Sequence, residues 1–427
     1  MADKSTVGDY VSLQRGTTYK GNLVGKPGPA LLGLGSIRPG GGFRDGDYKT
    51  YGGECPKKLM LFPGDLFVSL KGATKDGKMI GSVARVPSTV PSGRLTQDTV
   101  KLEFHDSDQE IVAFLYWLLR TPQYRNYCAG RATGSAVVAL SRDDFLAYPV
   151  PPLTPARLQL VKLLELLDEK IELNRCMNHA LDAITRSLFK SWFVDFDPVR
   201  AKAEGRGPSL PDPVADLFPN SFEDSELGEV PKDWGLRNLD QEFTLTMGQS
   251  PPGDTYNELG EGTPFFQGRT DFGFRFPRRR VYCTAPSRMA QVGDTLVSVR
   301  APVGDINMAA EQCCIGRGVA AVRHGSGSRS YTYYFLESLR QIFNGFEAEG
   351  TVFGSINKKA FHAIRTVTPP PDVVAAFERI SFPMDERVRV GAEQIETLAS
   401  LRDTLLPRLI SGELRISDVE KLIEARI

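Results

Sequence analysis

The 427-residue sequence is poor in the residues from which catalytic and metal centres are built: it has four histidines and six cysteines, and no two cysteines stand in a CxxC pair. Without that spacing a structural zinc is not expected. Cys55, Cys128, Cys176, Cys283, Cys313 and Cys314 are scattered along a long chain, which suits a reducing compartment better than a disulfide framework. Nothing resembles a Ser-His-Asp or Cys-His nucleophile arrangement. The longest apolar run, IVAFLYWLL at 111–119, is too short to span a bilayer, and the opening MADKSTVGDY lacks the apolar stretch of a signal peptide. A cytoplasmic protein is expected. Net charge is absent too, since 52 Lys and Arg balance 52 Asp and Glu, so any nucleic-acid contact must come from local clusters.

What is present is repetition. GDLFVSL at 64–70 returns as GDTLVSV at 293–299, an offset of 229 residues. Each phrase is an alternating strand behind a Gly-Asp turn signal. The flanks repeat as well. LSRDDF (140–145) leads into PVPPLTP (149–155), and INKKAF (356–361) leads into VTPPPD (367–372). RGTTYKG (15–21) sits where MGQSPPG (247–253) sits in the second copy. Behind each proline cluster runs a heptad-like segment. Leu160, Leu167, Ile171, Leu181, Leu188 and Trp192 map at a constant offset of 217 onto Phe377, Met384, Val388, Leu398, Leu405 and Leu409, while Leu164 meets Ser381. A constant offset along a seam spaced three and four residues apart is one helix written twice.

The expected fold is therefore α+β: two strand-rich units held apart by two long antiparallel helices, with an internal pseudo-twofold repeat. Residues 1–152 form the first unit, with a buried helix at 109–120. Residues 153–196 hold a helix at 155–193, ~55 Å or more at about 1.5 Å per residue. Residues 197–231, with six prolines, read as an extended connector. Residues 232–370 form the second unit, and 371–427 a helical region with its long helix at 372–412. Pro383 predicts a kink or a late start there, and Pro407 a loosened last turn. A long amphipathic helix needs a partner for its seam, and pairing of the two is the economical solution. Asn174, Asn178, Thr185 and Arg402 would fix its register. The simpler alternative is that each helix packs on its own unit.

GATKDGKM (72–79) is one residue from a phosphate-binding loop, but Met79 replaces the hydroxyl that would hold magnesium. A Gly/Lys loop tip is the better reading, and Lys71, Lys75 and Lys78 suit phosphate contact. Between Gln267 and Arg300 stand seven arginines, two acids and no lysine, with Phe272, Phe274, Phe276 and Tyr282 interleaved. A solvated face would be expected to carry lysine as well, whereas the guanidinium fork suits phosphate and the guanine edge. Cys313 and Cys314 read as small buried apolar residues. SPPG (250–253) lacks the aromatic that an amino-methyltransferase would stack on a flipped base, so catalysis is expected in trans.

AITRSLFKSWFVDFDPVRAKAEG (183–205) and SELGEVPKDWGLRNL (225–239) resemble the central conserved region of type I restriction-modification specificity subunits. MGQSPPGDTYN, GTPFFQG, GDTLVSVRAPVGDIN and CCIGRG resemble a target-recognition domain of that family, and LRDTLLPRLISGEL (401–414) its C-terminal conserved region. The resemblance implies a non-catalytic, DNA-binding chain. Two target-recognition domains would each read half of an asymmetric split target in double-stranded DNA, with the gap set by the helices. It also implies two copies of a DNA adenine methyltransferase subunit, with S-adenosylmethionine bound in their chains, and restriction/translocase subunits. Half-sites of a duplicated reader should lie about one helical turn apart, ~34 Å.

Charge, loop placement and motif position nominate Lys20, Arg38, Arg44, Lys71, Lys75 and Lys78 in the first unit as DNA contacts. In the second unit they nominate Gln249, Tyr256, Gln267, Arg269, Arg275, Arg278, Arg279 and Arg300. The seam residues, with Trp192 and Phe193, are candidates for joining the helices or meeting the methyltransferase, core packing being the better role for Trp192 on the seam. The rival reading is a coiled-coil scaffold that joins proteins without reading DNA. A nucleotide-hydrolysing enzyme using the 72–79 loop is a more distant one.

Overall fold

A computed structural model of the chain describes residues 5–411 except 45, 47, 73–76, 135–137, 208 and 349–353. It divides into two compact units, Met1–Leu173 with Ile395–Ile427, and Asn174–Gln394. The first contains strands β1 (Val11–Arg15), β2 (Ala30–Leu32), β3 (Met60–Leu61), β4 (Leu66–Ser69), β5 (Val83–Arg85), β6 (Gly93–Leu95) and β7 (Thr99–Phe104), then helices α1 (Gln109–Leu118), α2 (Pro122–Arg131) and α3 (Arg142–Leu146). One sheet has the order β1-β7-β4-β5, all antiparallel; a smaller one has the order β2-β6-β3, its first pair parallel. The apolar run noted above becomes α1, and its Phe114, Leu115, Trp117 and Leu118 lie in the core. A 39-residue helix, α4 (Pro155–Phe193), follows and passes from the first unit into the second.

The second unit continues with α5 (Asp197–Ala203), α6 (Asp212–Ala215), β8 (Phe222–Ser225), β9 (Gly228–Pro231), β10 (Gly235–Asn238) and α7 (Leu239–Glu242). Its strand-rich part holds β11 (Phe243–Met247), β12 (Tyr256–Asn257), β13 (Thr263–Phe266), β14 (Tyr282–Cys283), β15 (Met289–Ala290), β16 (Thr295–Ser298), β17 (Ile306–Met308), β18 (Cys313–Ile315) and β19 (Val319–His324). Then come α8 (Arg329–Ser338), α9 (Arg340–Ala348), α10 (Lys358–His362), β20 (Arg365–Thr368), α11 (Pro371–Leu405) and α12 (Arg408–Ser411), the last two ending among the residues of the first unit.

The sheet order β11-β19-β16-β17 repeats β1-β7-β4-β5, and β13-β18-β15 repeats β2-β6-β3 down to its parallel first pair. The second unit adds β12 and β14 beside β13.

The repeated Gly-Asp phrase has one physical job in both copies. Gly64 and Gly293 take φ of 93° and 85°, a left-handed turn that suits glycine. The next residue's carboxylate reaches back three residues: Asp65 accepts the Phe62 N–H at 2.8 Å, and Asp294 the Gln291 N–H at 2.8 Å. Each also holds a cation on the neighbouring strand. Lys101 of β7 donates to Asp65 at 2.7 Å, and Arg323 of β19 donates to both Asp294 oxygens at 2.6 and 2.9 Å. Turn, edge and centre of the sheet are thus tied at one residue.

Within each unit the two long helices run antiparallel. In the first, Arg402 donates to Asp168 at 2.8 Å and Arg157 Nε to the Leu409 carbonyl at 3.1 Å. Leu160, Leu167, Ile171, Leu405 and Leu409 are buried, and Leu398 is half-buried. In the second, Asn174 donates to Gln394 at 3.1 Å and Thr185 to the Met384 sulfur at 3.4 Å. There Phe377 and Val388 are buried, and Leu181, Leu188 and Met384 are half-buried. A Cβ on Gly391 would lie 2.3 Å from the Asn178 amide oxygen, so the helices meet closely there. Pairing and packing on the strand-rich part are both realised: Leu164 and Leu405 belong to the first core, Phe189 and Phe377 to the second.

Three expectations are corrected. The 197–231 segment is not an extended connector, since it folds into α5, α6 and the β8–β9 hairpin, and Val199, Phe218 and Val230 are buried. Its prolines include Pro198 and Pro213 in the first turns of α5 and α6, where a missing N–H costs nothing. Of the kink or late start expected at Pro383, the late start does not occur. The second long helix begins at Pro371 and runs through Pro383, whose exposed position puts the lost hydrogen bond on the solvent side. Phe193 is not a free anchor, since it packs on Tyr331, Phe377 and Trp234, while Trp192 takes the core role expected of it, against Phe218 and Phe377. Pro407 does end α11, at Leu405, before the short α12.

Replacing Asp65 or Asp294 with Ala should each lower stability by about 1–3 kcal/mol through lost charge-assisted bonds. Urea denaturation of the full chain measures it, and a loss at only one position would refute the equivalence of the two turns.

Candidate nucleic-acid interface

In the second unit the long loop between β13 and β14 carries five of the seven arginines of the 267–300 stretch. Its backbone is pinned to the sheet: the Asn307 amide donates to the Gly273 carbonyl at 3.0 Å, and the Met308 N–H to the Arg275 carbonyl at 2.8 Å. Arg269 pairs with Asp305 at 2.6 Å, and Arg279 pairs with Glu311. Arg280 holds buried Asp271 at 2.9 Å, and the Asp271 carbonyl accepts the Arg278 N–H at 2.7 Å. Side chains of Arg269, Arg278, Arg279 and Arg280 are exposed, as is that of Arg300 on the loop after β16.

Arg275 turns the other way, which corrects its nomination as a DNA contact. Only 2% exposed, it donates to Asp182 at 2.6 Å and to the Tyr334 hydroxyl at 2.5 Å, and it pairs with Asp385 at 3.0 Å. Its guanidinium lies 3.8 Å from the centre of the Tyr333 ring. Burial pushes the Asp385 carboxyl up from its ordinary value, against the opposing pull of Arg275.

A second group surrounds the end of β18. The Gln249 N–H donates to the Ile315 carbonyl at 3.0 Å, the Ile315 N–H to the Arg288 carbonyl at 2.9 Å, and the Gly318 N–H to the Gln267 carbonyl at 3.1 Å. Arg317 Nε lies 3.4 Å from the Ser250 hydroxyl. The exposed side chains of Gln249, Gln267, Arg288 and Arg317 thus share one patch. Two amides and two guanidinium forks are the groups that make bidentate bonds to adenine and guanine edges. Arg288, counted in the arginine stretch but not nominated, and Arg317, which sequence reasoning passed over, join the candidates here. The signal for Arg317 was its flanking glycines: a Cβ on Gly318 would lie 2.3 Å from the Gln267 carbonyl oxygen. Tyr256 is half-buried, its hydroxyl donating to the Pro251 carbonyl at 2.7 Å and its ring against Phe265. Cys313 and Cys314 are buried in β18, and burial pushes the Cys313 thiol up to about 12, as befits an inert packing residue.

In the first unit a cleft of about 450 Å³ is lined by Tyr19, Arg44, Tyr48, Lys49, Thr96 and Asp98, among others. Lys20 is exposed on the adjoining loop, which buried Arg94 holds by donating to the Thr18 carbonyl at 3.0 Å and the Thr17 hydroxyl at 3.1 Å. Lys71 is exposed and lies 3.8 Å from Asp98, Lys78 is exposed, and Arg38 is half-buried. Lys75 lies outside the described residues. Among the described residues no group of three His, Cys, Asp or Glu side chains is placed to hold a metal, and no helix is long and apolar enough to cross a membrane.

The two kinds of arginine separate on stability. Arg275→Met strands buried Asp385 and leaves Asp182 with Arg186 alone, and should cost roughly 3–5 kcal/mol, whereas Arg278→Ala should stay within about 0.5 kcal/mol of the parent. Equal chemical-denaturation curves for the two variants would contradict this division.

No family model matches the chain. It is 29% identical over 310 residues to a putative type I restriction enzyme specificity subunit, MjaX, of Methanocaldococcus jannaschii, covering 71% of this chain and 68% of that one. It is 25% identical over 362 residues to the type I restriction enzyme HindI specificity subunit of Haemophilus influenzae, covering 70% and 77%. In fold it is similar to the crystal structure of a type I restriction-modification S subunit from M. genitalium, with a TM-score of 0.56, 14% identity and 95% of each chain covered. By sequence the chain is thus similar to the specificity subunits of type I restriction-modification systems, and its fold is similar to that of a solved S subunit.

Proposed function

We propose that this chain is the non-catalytic specificity subunit that reads a split, asymmetric target in double-stranded DNA, one half-site per strand-rich unit. The observation that carries the reading is one sheet framework built twice with different exposed side chains on its loops. Gln249, Gln267, Arg288 and Arg317 form the base-reading candidates of the second unit, and Lys20, Arg44 and Lys49 serve the first. Exposed Arg278 and Arg300 supply phosphate contact, which positions the protein without reading sequence.

The chemistry acts in trans. Two copies of an adenine methyltransferase subunit, binding S-adenosylmethionine in their own chains, associate with the long helices, and restriction/translocase subunits join them. This chain supplies no catalytic group and works inside the cell, where its DNA is. The two-helix arrangement alone would equally suit a protein-only scaffold, but the Gln/Arg patch gives the DNA reading its specific support.

A base-resolution map of adenine methylation in the source cell, with and without this chain, is the direct test. One split motif with a fixed gap should vanish on deletion; an unchanged map would remove the reading. Arg278→Ala should weaken DNA binding uniformly across sequences and reduce the salt slope by about 1. Gln267→Ala or Arg317→Ala should relax one target position at a cost of about 1–3 kcal/mol, seen by competition binding on variant duplexes.

A further inference from the structure

Arg275 is bonded at its backbone to the sheet and at its side chain to both long helices. Its carbonyl accepts the Met308 N–H of β17, while its guanidinium reaches Asp182 on α4 and Asp385 on α11. Tyr334 of α8 closes the cluster, its hydroxyl lying 3.2 Å from Asp182 and 3.3 Å from Asp385. Arg186 balances the second Asp182 oxygen at 2.9 Å, so two guanidinium groups face two carboxylates. The framework does not need Arg275 for its attachment. Glu378 of α11 separately accepts the first N–H groups of α8, from Arg329, Ser330 and Tyr331, at 2.9, 3.2 and 3.1 Å. What Arg275 adds is a fixed direction for the loop that carries Arg278, Arg279 and Arg280.

The first unit solves the same problem with a different residue. Arg85 sits on β5, the counterpart of β17, and grips Glu165 of α4 with two bonds of 2.7 Å. In the second copy no arginine stands on that strand, and the fork comes from the neighbouring loop instead. Two non-equivalent positions thus deliver a guanidinium between the edge strand and the helix carboxylates. Apolar packing is non-directional, whereas the hydrogen bond from Arg275 to Asp182, with the ion pair to Asp385 beside it, sets a direction.

Resting on the function proposed above, we infer that Arg275 is a positioning residue for half-site spacing. It touches no DNA; it fixes the angle at which the second unit presents its reading loops relative to the helices, and so narrows the gap lengths the chain accepts.

The test replaces Arg275 with Lys in the source cell and maps adenine methylation at base resolution. One ammonium cannot span both carboxylates, so the half-sites should stay the same while targets one base pair longer or shorter become modified. Discrimination against those gaps should fall by roughly tenfold, equivalent to about 1.4 kcal/mol. A purely structural role predicts lower occupancy at an unchanged gap, and that result overturns the inference. Should Arg275→Lys abolish modification, the triple variant Arg275→Met, Asp182→Asn, Asp385→Asn removes the fork without leaving an orphan charge, and the same criterion applies. Absence of any split motif in the unaltered cell sinks the function and this inference together; a single gap retained in both variants sinks this inference alone.

Discussion

The structure depends on carboxylates that the long helices bury against their strand-rich partners. Asp168 and Asp385 occupy the same position of the twice-written helix, and both are answered by arginine. Asp385 is buried and Asp168 half-buried, and a carboxylate taken out of water without a cation is costly. Arg120 and Arg402 meet Asp168 in the first unit, and Arg275 meets Asp385 in the second. Around these points the apolar seams contribute area and the charges contribute direction. Tyr116 and Tyr333, also in register, lay a ring against the guanidinium in each case.

Much of this could be read from the residues. The long helix at 155–193 was legible because its apolar seam recurs along nearly its whole length, and the second because most of that seam returns at a constant offset. The core helix α1 was legible as an apolar run too short for a membrane. The connector was misread because proline count does not say where in a helix a proline falls. Arg275 was misread for a related reason: composition shows seven arginines in one stretch, but an inward and an outward guanidinium have the same letter. The acids that decide it, Asp182 and Asp385, lie far away in sequence and were hidden among ordinary helix-surface charges.

Repetition divides the molecule into what is held and what is free. Asp65 and Asp294 keep the same turn, and the same two sheets hang from it. Between the framework strands the copies diverge. One presents Tyr19, Arg44, Lys49 and Asp98 around a cleft, and the other presents Gln249, Gln267, Arg288 and Arg317 around a strand end. Loops supported by a rigid scaffold can change without unfolding it, which is the physical condition for acquiring two different readings from one inherited unit.

The division of the helices between units also orders events during synthesis. The second unit is one uninterrupted piece of chain, Asn174–Gln394, and can close as soon as it clears the ribosome. The first unit begins earlier but cannot finish, because Leu401, Leu405 and Leu409 belong to its core, and Arg402, one of the two partners of Asp168, is 234 residues away from it. Its exposed seam must therefore wait, through the whole making of the second unit, for the last turns of helix to arrive. The half that is translated first is the half that matures last.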